Sequence, residues 1–463
     1  MKQYPGYKKS EKKWLNEIPE HWNFKRAKSV FKTIDIRSID GSEELLSVSE
    51  KNGVALRKNT NVTMFQAESY ANYKLCWPQD LVINSLWAWM TGLGFSEYHG
   101  IISTAYSVFR IWNQDSFNYK YGNYLLRSKI YNWEFRVRSK GIWRSRYQLS
   151  DDSFLSMPLL LPPLEEQQQI TRYLDWKTAR INKFIKAKKK LITLLKEQKQ
   201  NIISEAVTKG VNSNVEMKDS EIEWLGEIPR HWIVKKIRHF CSCQNGISES
   251  GDFFTKGYPF ISYGDVYKHR VLPNSIEGKA NSNEKQQITY SVQQGDIFFT
   301  RTSEALDEVG ITSVCLETIP NAIFSGFLIR VRPNRKIINE LFSKYYFQAT
   351  CVREYFTKEM NIVTRASLGQ NLLKNLPVLL PPYHEQLEIA EKLEEESKLI
   401  NATISRAEKE IELIQEYKTR LISDVVTGKI DVRSVAIPDF DPIETDTDVS
   451  EDNVDERVME NME

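Results

Sequence analysis

Apolar residues recur every seven positions over two long stretches of this chain. In the first, Leu174, Ile181, Leu195 and Ile202 form one track, and Ile185, Ile192 and Ala206 form a second. In the later stretch Leu393, Ile400, Ala407, Ile414 and Leu421 make one track, with Ile404, Ile411 and Val425 on the other. Two tracks of period seven, offset by four, describe one seam of a coiled coil. Pro162–Pro163 and Pro381–Pro382 stand where a helix can begin, because proline fits the first turn and not the interior. Gly210 and Gly428 stand where it can stop. The pattern predicts two helices of about 40 to 45 residues, roughly 60 to 65 Å long at 1.5 Å per residue. Neither can bury its seam alone. Each is expected to pair with the other, antiparallel being the simpler arrangement. Lys188 and Lys199 interrupt the first seam, and Ser397 and Lys418 the second. They are either register pins or places where a third protein packs.

The two stretches belong to a duplication. LLLPPLEEQQQI at Leu159–Ile170 answers VLLPPYHEQLEI at Val378–Ile389. WLNEIPEHW at Trp14–Trp22 returns as WLGEIPRHW at Trp224–Trp232, and LLKEQKQNIISEAVT at Leu194–Thr208 as LIQEYKTRLISDVVT at Leu413–Thr427. WLNEIPEHW shifts by 210 and the other two by 219, so the second copy carries about nine extra residues between its WLGEIPRHW and its Pro-Pro pair. A period this long is not a solenoid repeat. It is a domain and a helix, duplicated with the frame kept and the interior rewritten.

Those interiors mix strand and helix signals. Residues 80–84, 107–112, 295–300 and 324–331 read as strands near turn residues, and short helices are expected near 118–128 and 337–348. The fold class is therefore α+β: two globular domains, with two long helices forming an antiparallel coiled coil and a pseudo-twofold duplication. The expected divisions are 1–163 for the first globular domain, 164–210 for the first helix and linker, 211–382 for the second domain, 383–430 for the second helix, and 431–463 for an acidic, disordered tail.

A length of 463 residues suits two domains better than one core. The formal net charge is only +2, yet the segment from Ile437 is strongly acidic, so the remainder is distinctly basic and nucleic acid is an expected partner. The tail's low apolar content predicts disorder. Of the five cysteines only Cys241 and Cys243 lie close together. Nothing completes a zinc quartet, and free thiols in a reducing cytoplasm are expected. The N-terminus has no secretory pattern and no apolar run approaches about 20 residues, so no membrane association is expected.

Catalytic signatures are missing. No P-loop and no H-E-x-x-H occurs. The PPY at Pro381–Tyr383 resembles the end of an amino-methyltransferase motif, but Leu380 precedes it and cannot accept a hydrogen bond from a base. Asp265, Glu277 and Lys279 fit a loose metal-nuclease spelling that any charged chain produces by chance. No Ser/His/Asp arrangement is discernible, and His99 and His269 read as plain surface histidines. No cofactor, metal or catalytic residue is expected.

Basic and aromatic residues say more. RSKIYNWEFRVRSKGIWRSR, from Arg127 to Arg146, interleaves Arg138, Lys140, Arg144 and Arg146 with Tyr131, Trp133, Phe135 and Trp143. Such a surface can follow phosphates; the competing reading is a solvated helix face over core aromatics. Arg146 and Arg365 align under the 219 shift, each followed three residues later by Leu, although a structural ion pair would repeat equally well. Further candidate readers are Asn84, Ser85 and Trp87 in NSLWAW, Arg301, Thr302 and Ser303 in TRTS, and Lys268, His269 and Arg270. Arg and Asn can pair bidentately with guanine and adenine edges.

With WLGEIPRHW opening a domain, LPPLEEQQQITRYLDWKTARI and LLKEQKQNIISEAVTKG closing it, and the set occurring twice, the chain resembles the specificity subunit of a type I restriction–modification system. The resemblance spans Trp14 to Asp431. It implies that the two divergent domains are target-recognition domains, each reading one half of a bipartite, asymmetric double-stranded DNA site, with the helix pair setting the gap. It implies no catalysis in this chain, and assembly with adenine-methylating modification subunits and ATP-dependent motor-nuclease subunits. Helices 165–208 and 384–427 are then expected to contact those partners. Leu15, Ile18 and Trp22, like Leu225, Ile228 and Trp232, are expected to anchor each domain to a helix. Two other readings remain beside it: a nucleic-acid enzyme with an unrecognised site, and a coiled-coil scaffold without a DNA role.

Overall fold

A computed structural model describes residues 2–12, 14–59, 69–141, 147–249, 251–303, 308–334, 336–359 and 366–440. The chain divides into two compact units: residues 1–188 together with the chain from 409 onward, and residues 189–408. Each unit therefore takes part of both long helices, which run Leu164–Lys209 and Tyr383–Val426. Both begin directly after a Pro-Pro pair. Gly210 and Gly428 follow with φ of +79° and +77°, the left-handed conformation that ends a helix cheaply only at glycine.

In the first unit the central sheet has four strands: β1 (Phe31–Ile34), β2 (Leu81–Asn84), β3 (Leu93–Phe95) and β4 (Tyr106–Ile111), in the order β1-β4-β2-β3, all antiparallel. A second ladder joins Asn23–Arg26, just after the WLNEIPEHW motif, to Pro158–Leu161, just before the first long helix. Helices Tyr119–Leu126 and Lys129–Arg138 bury Tyr121, Leu125, Tyr131 and Phe135 against the sheet. The same core takes Ile170 and Leu174 from the start of the first long helix and Leu421, Val425 and Val426 from the end of the second.

The second unit repeats this design with other residues. Its sheet comprises β5 (Cys241–Asn245), β6 (Ile297–Thr300), β7 (Thr312–Val314) and β8 (Leu328–Pro333), ordered β5-β8-β6-β7 and again antiparallel. Ile233–Lys236 pairs with Pro377–Leu380. Ile389 and Leu393 from the start of the second long helix share the core with Ile203, Ala206 and Val207 from the end of the first. The expected short helices and three of the four strands are present, with bounds moved by a few residues; the fourth, 324–331, is broken by a turn at 326–327 into Ile323–Phe324, which pairs with Tyr258–Ile261, and β8. The acidic residues from 441 onward lie outside the described residues.

Helix pairing is antiparallel within each unit. In the first, the Lys418 ammonium donates to Asn182 Oδ1 at 2.8 Å and Lys188 pairs with Glu410 at 2.6 Å. In the second, Lys199 donates to Asn401 Oδ1 at 2.7 Å. Lys199 and Lys418 are counterparts under the 219 shift, as are Asn182 and Asn401. Each of these lysines meets a partner on the facing helix, which is the contact a register pin requires. Trp22 and Trp232 act as anchors: a Cβ on Gly428 would stand 3.2 Å from Trp22, and one on Gly210 would stand 3.2 Å from Trp232.

Candidate nucleic-acid interface

The strand β2 ends at Asn84, and the chain leaves the sheet through the loop 85–92. Asn84 is buried and turns its Oδ1 onto the Leu86 N–H at 3.2 Å; Ser85 donates its hydroxyl to the Ala105 carbonyl at 2.8 Å. Their side chains shape the loop. The Ser85 carbonyl accepts the Leu149 N–H at 2.9 Å, which ties this loop to the segment that carries Lys140. Lys140 is exposed and exchanges two backbone hydrogen bonds with Gln148, both 2.9 Å. Trp87 and Trp89 stack at 6.3 Å, and Tyr147 meets Trp89 edge-on at 6.0 Å. Two sequence regions some sixty residues apart thus form one surface, with Leu86 and Trp87 at its exposed tip.

The second unit builds the same junction. The Arg301 carbonyl, just past β6, accepts the Leu368 N–H at 2.7 Å. Thr302 pairs with Ser367 in a short antiparallel ladder. Arg301 also donates its own N–H to the Phe327 carbonyl at 2.9 Å, and Phe327 is exposed. Where Asn132 donates to the Trp89 carbonyl at 2.9 Å in the first unit, Arg353 donates to the Val309 carbonyl in the second. Thr91 (φ 58°) and Gly310 (φ 72°) both turn through the left-handed region at the corresponding place. The backbone frame is shared and the side chains on it are not.

Other candidates are dispersed. Arg138 binds Glu134 at 2.6 Å and Ser156 at 3.2 Å, an internal pair on its own helix. Arg127 holds the carbonyls of Glu50 and Lys51. Tyr131 and Phe135 are core residues, and Trp133 is exposed. Lys268 ends the short helix Tyr263–Lys268, and Arg270 follows it, its backbone carbonyl accepting the Val314 N–H at 3.1 Å. Arg144, Arg146 and Arg365 lie outside the described residues.

The fragments that mimic catalytic motifs have structural duties. Tyr383 of the PPY starts the second long helix, and its hydroxyl accepts from Asn339 Nδ2 at 3.1 Å. Asp265 closes a capping box with Ser262. No group of three His, Cys, Asp or Glu among the described residues could hold a metal ion. One pairing escaped sequence reasoning. Arg110 clamps Asp80 at 2.8 and 2.7 Å, and Arg332 clamps Asp296 at 2.6 Å twice, fixing the turn before β2 and before β6. Each Asp in turn caps a backbone N–H, of Trp77 or Gln293. Beside this clamp, burial and the neighbouring Arg332 lower the Arg330 guanidinium to about 10.

Comparison with known proteins falls on one family. The type I restriction modification DNA specificity domain matches residues 229–413. The chain is 27% identical over 288 residues to the type I restriction enzyme MjaVIII specificity subunit of Methanocaldococcus jannaschii, covering 61% of this chain and 64% of that one. It is 24% identical over 277 residues to the EcoKI specificity subunit of Escherichia coli K12, covering 58% and 56%. The match thus spans somewhat over half the length of these relatives. Among solved structures, a chain from work on complex assembly and conformational transition of the type I R-M system superposes with a TM-score of 0.68 at 15% identity, covering 89% of this chain and 99% of that one. The HsdS subunit from Thermoanaerobacter tengcongensis gives 0.51 at 16% identity, covering 89% and 98%. These two likenesses establish the fold.

Proposed function

The chain belongs to the type I restriction–modification specificity-subunit family, and from that premise we propose that it is the non-catalytic DNA-recognition subunit of such a complex. Each globular domain reads one half of a bipartite, asymmetric site in double-stranded DNA, and the helix pair sets the gap. Its partners are adenine-methylating modification subunits and ATP-dependent motor-nuclease subunits, and its compartment is the cytoplasm. No helix among the described residues is long and apolar enough to cross a membrane.

One observation carries this reading. Two sheets of identical strand order present the same loop-to-segment junction, Ser85 to Leu149 and Arg301 to Leu368, yet dress it with unlike residues. A stacked pair of tryptophans, Trp87 exposed and Trp89 half-buried, stands on one, and Arg301 and Thr302 on the other. A shared frame with exchanged side chains is what two readers of different half-sites require. Base edges are distinguished by side-chain chemistry, while phosphate contacts fix register. We assign Lys140, Arg301, Thr302, Lys268 and Arg270, and also Arg144, Arg146 and Arg365, to the DNA-facing surface. Asn84 and Ser85 hold the first loop, and Arg138 is committed to Glu134 and Ser156.

The test is a domain exchange. Replacing residues 24–155 with the corresponding region of another such subunit, in the assembled methyltransferase, should change one half of the methylated sequence and leave the other half and the gap intact. A change in both halves sinks the proposal, as does DNA binding by the full chain that does not weaken with salt. Methyl transfer or cleavage by the purified chain alone would also overturn it.

A further inference from the structure

The strand that leads into each junction loop is buried on both faces. Successive residues of a strand point to opposite sides, and all four residues of β2 and all four of β6 are buried. Alternation of apolar and polar positions therefore cannot set their register. Slipping β2 by one residue against β4 would exchange Leu81, Val82 and Ile83 for one another, apolar for apolar. Yet such a slip moves the loop at Ser85 by about 3.4 Å relative to β4 and turns every side chain over.

In both units a charged pair stands one step outside the ladder. The β2–β4 ladder opens on Leu81 opposite Phe109, and the next residues out are Asp80 and Arg110. The β6–β8 ladder opens on Ile297 opposite Val331, and the next residues out are Asp296 and Arg332. Both carboxylates are wholly buried, and each is fixed by its own turn. Asp80 accepts the Trp77 N–H at 2.9 Å, and Asp296 accepts the Gln293 N–H at 2.7 Å. Gln79 (φ 73°) and Gly295 (φ 87°) shape the two turns alike. Each guanidinium comes from the neighbouring strand and forks both carboxylate oxygens. It is also held from a third side, Arg110 by the Trp77 ring at 4.7 Å and Arg332 by the Ser291 carbonyl at 2.9 Å. A bidentate pair is specific in geometry, so a one-residue slip breaks it. The strands beside it differ, LVIN against IFFT, and the pair is kept.

We propose that Asp80–Arg110 and Asp296–Arg332 are register locks, each setting where its strand ends and so aiming the loop beyond it. A buried ion pair contributes little net stability and can select one arrangement over its neighbours. The proposal rests on the recognition reading above. Asp80 and Arg110 are then positioning residues for the first half-site, and Asp296 and Arg332 for the second, without touching DNA.

The experiment uses the chain assembled with its modification subunits, on duplexes carrying its own target, located by mapping methylated adenines. Methylation rates are compared for the target and for single-base changes in each half. Arg110→Lys keeps the charge and loses the fork. Its discrimination against first-half changes should fall about tenfold, the scale of one base contact. Discrimination in the second half should stay within about twofold of wild type. Arg332→Lys should give the mirror result. The double variant Asp80→Asn, Arg110→Met removes both charges and leaves the turn its acceptor. It should assemble, and its full chain should unfold at the same denaturant concentration as wild type, yet first-half discrimination should be lost. A purely structural role scales all rates together and leaves their ratios unchanged, and that result overturns the lock. So does a loss in both halves from one variant, or a double variant that fails to assemble. A wild-type complex that discriminates in neither half defeats the recognition reading, and the positioning role falls with it. One that discriminates while the variants keep its ratios defeats the lock alone.

Discussion

The side-chain oxygen of Gln167 accepts the backbone N–H of Asn118 at 2.9 Å. Asn118 caps helix Tyr119–Leu126, and Gln167 lies in the first turn of the first long helix. The amide nitrogen of Gln167 completes the joint, donating to the Ser116 and Pro162 carbonyls at 3.0 and 2.9 Å. The second unit repeats it atom for atom. Gln386 accepts from Asn339 N–H at 2.8 Å and donates to Ile337 and Pro381 carbonyls at 3.0 and 2.9 Å. Both glutamines are wholly buried. One side chain thus fixes each domain to its helix.

Replacing Gln167 by Leu keeps the volume and strands one backbone N–H and two carbonyls. At about 1–3 kcal/mol for each buried group left unsatisfied, and with some relief by relaxation, the expected loss is roughly 3–5 kcal/mol. Gln386→Leu should cost a similar amount. Denaturant unfolding of the full chain measures both. A loss under about 1 kcal/mol in either would show that the joint is not what holds domain to helix.

Much of this architecture was legible in the chain because its causes are local. The seam residues, the Pro-Pro starts and Gly210 and Gly428 act through neighbours within a turn or two. The candidate surface was harder, because it is made by non-local closure. Nothing near Ser85 announces that its carbonyl will meet Leu149, and the divergence of the loops hid that Asn132 and Arg353 do the same work. The repeated motif also concealed a difference. Trp232 donates its indole N–H to Glu385 at 2.9 Å. In the first unit Tyr4 and His21 occupy the two oxygens of Glu166, at 2.5 and 2.8 Å, and the Trp22 indole N–H has no partner among the described residues. Tyr4 lies outside the nine-residue motif, so spelling alone could not show it.

Glu394, on the second long helix, receives the Lys344 ammonium at 2.5 Å and the Tyr345 hydroxyl at 2.7 Å. The Lys344 hydrogen bond, then that of Tyr345, hold its carboxyl below the usual range. A carboxyl depressed in the folded state stabilises above its unfolded value, near 4.3, and that contribution is lost as pH falls through the folded value. The Glu394 side chain is 60% exposed, so solvent screening limits the gain to under about 1 kcal/mol. Glu394→Gln should therefore be slightly less stable than wild type at pH 7, and the two should converge in acid. A gap that persists below about pH 3 would assign the effect to packing and not to charge.

The lysine pins make the opposite case. Burial lowers the ammonium pKa of both Lys199 and Lys418 from the ordinary lysine value, with neighbouring cations adding to it. Each nevertheless keeps a partner across the seam, Asn401 and Asn182. A polar group at a seam position costs stability and selects register. Lys418→Met should therefore raise the unfolding free energy, by about 1 kcal/mol, where a simple hydrogen-bond count would predict a loss. The sign with pH follows from the lowered pKa. Below the folded value both states are charged and wild type carries the full desolvation cost. As pH rises between the folded and unfolded values the native state releases its proton first, and that cost fades. The advantage of Lys418→Met should thus be largest at neutral pH and shrink toward pH 10 or so. The variant that also replaces Lys199 should gain again, and should lose the single register. A cysteine pair placed at Asn182 and Lys418 would then crosslink less completely than the same pair does with Lys199 intact. If the single substitution destabilises instead, the lysines contribute stability outright, and their role as register devices is wrong.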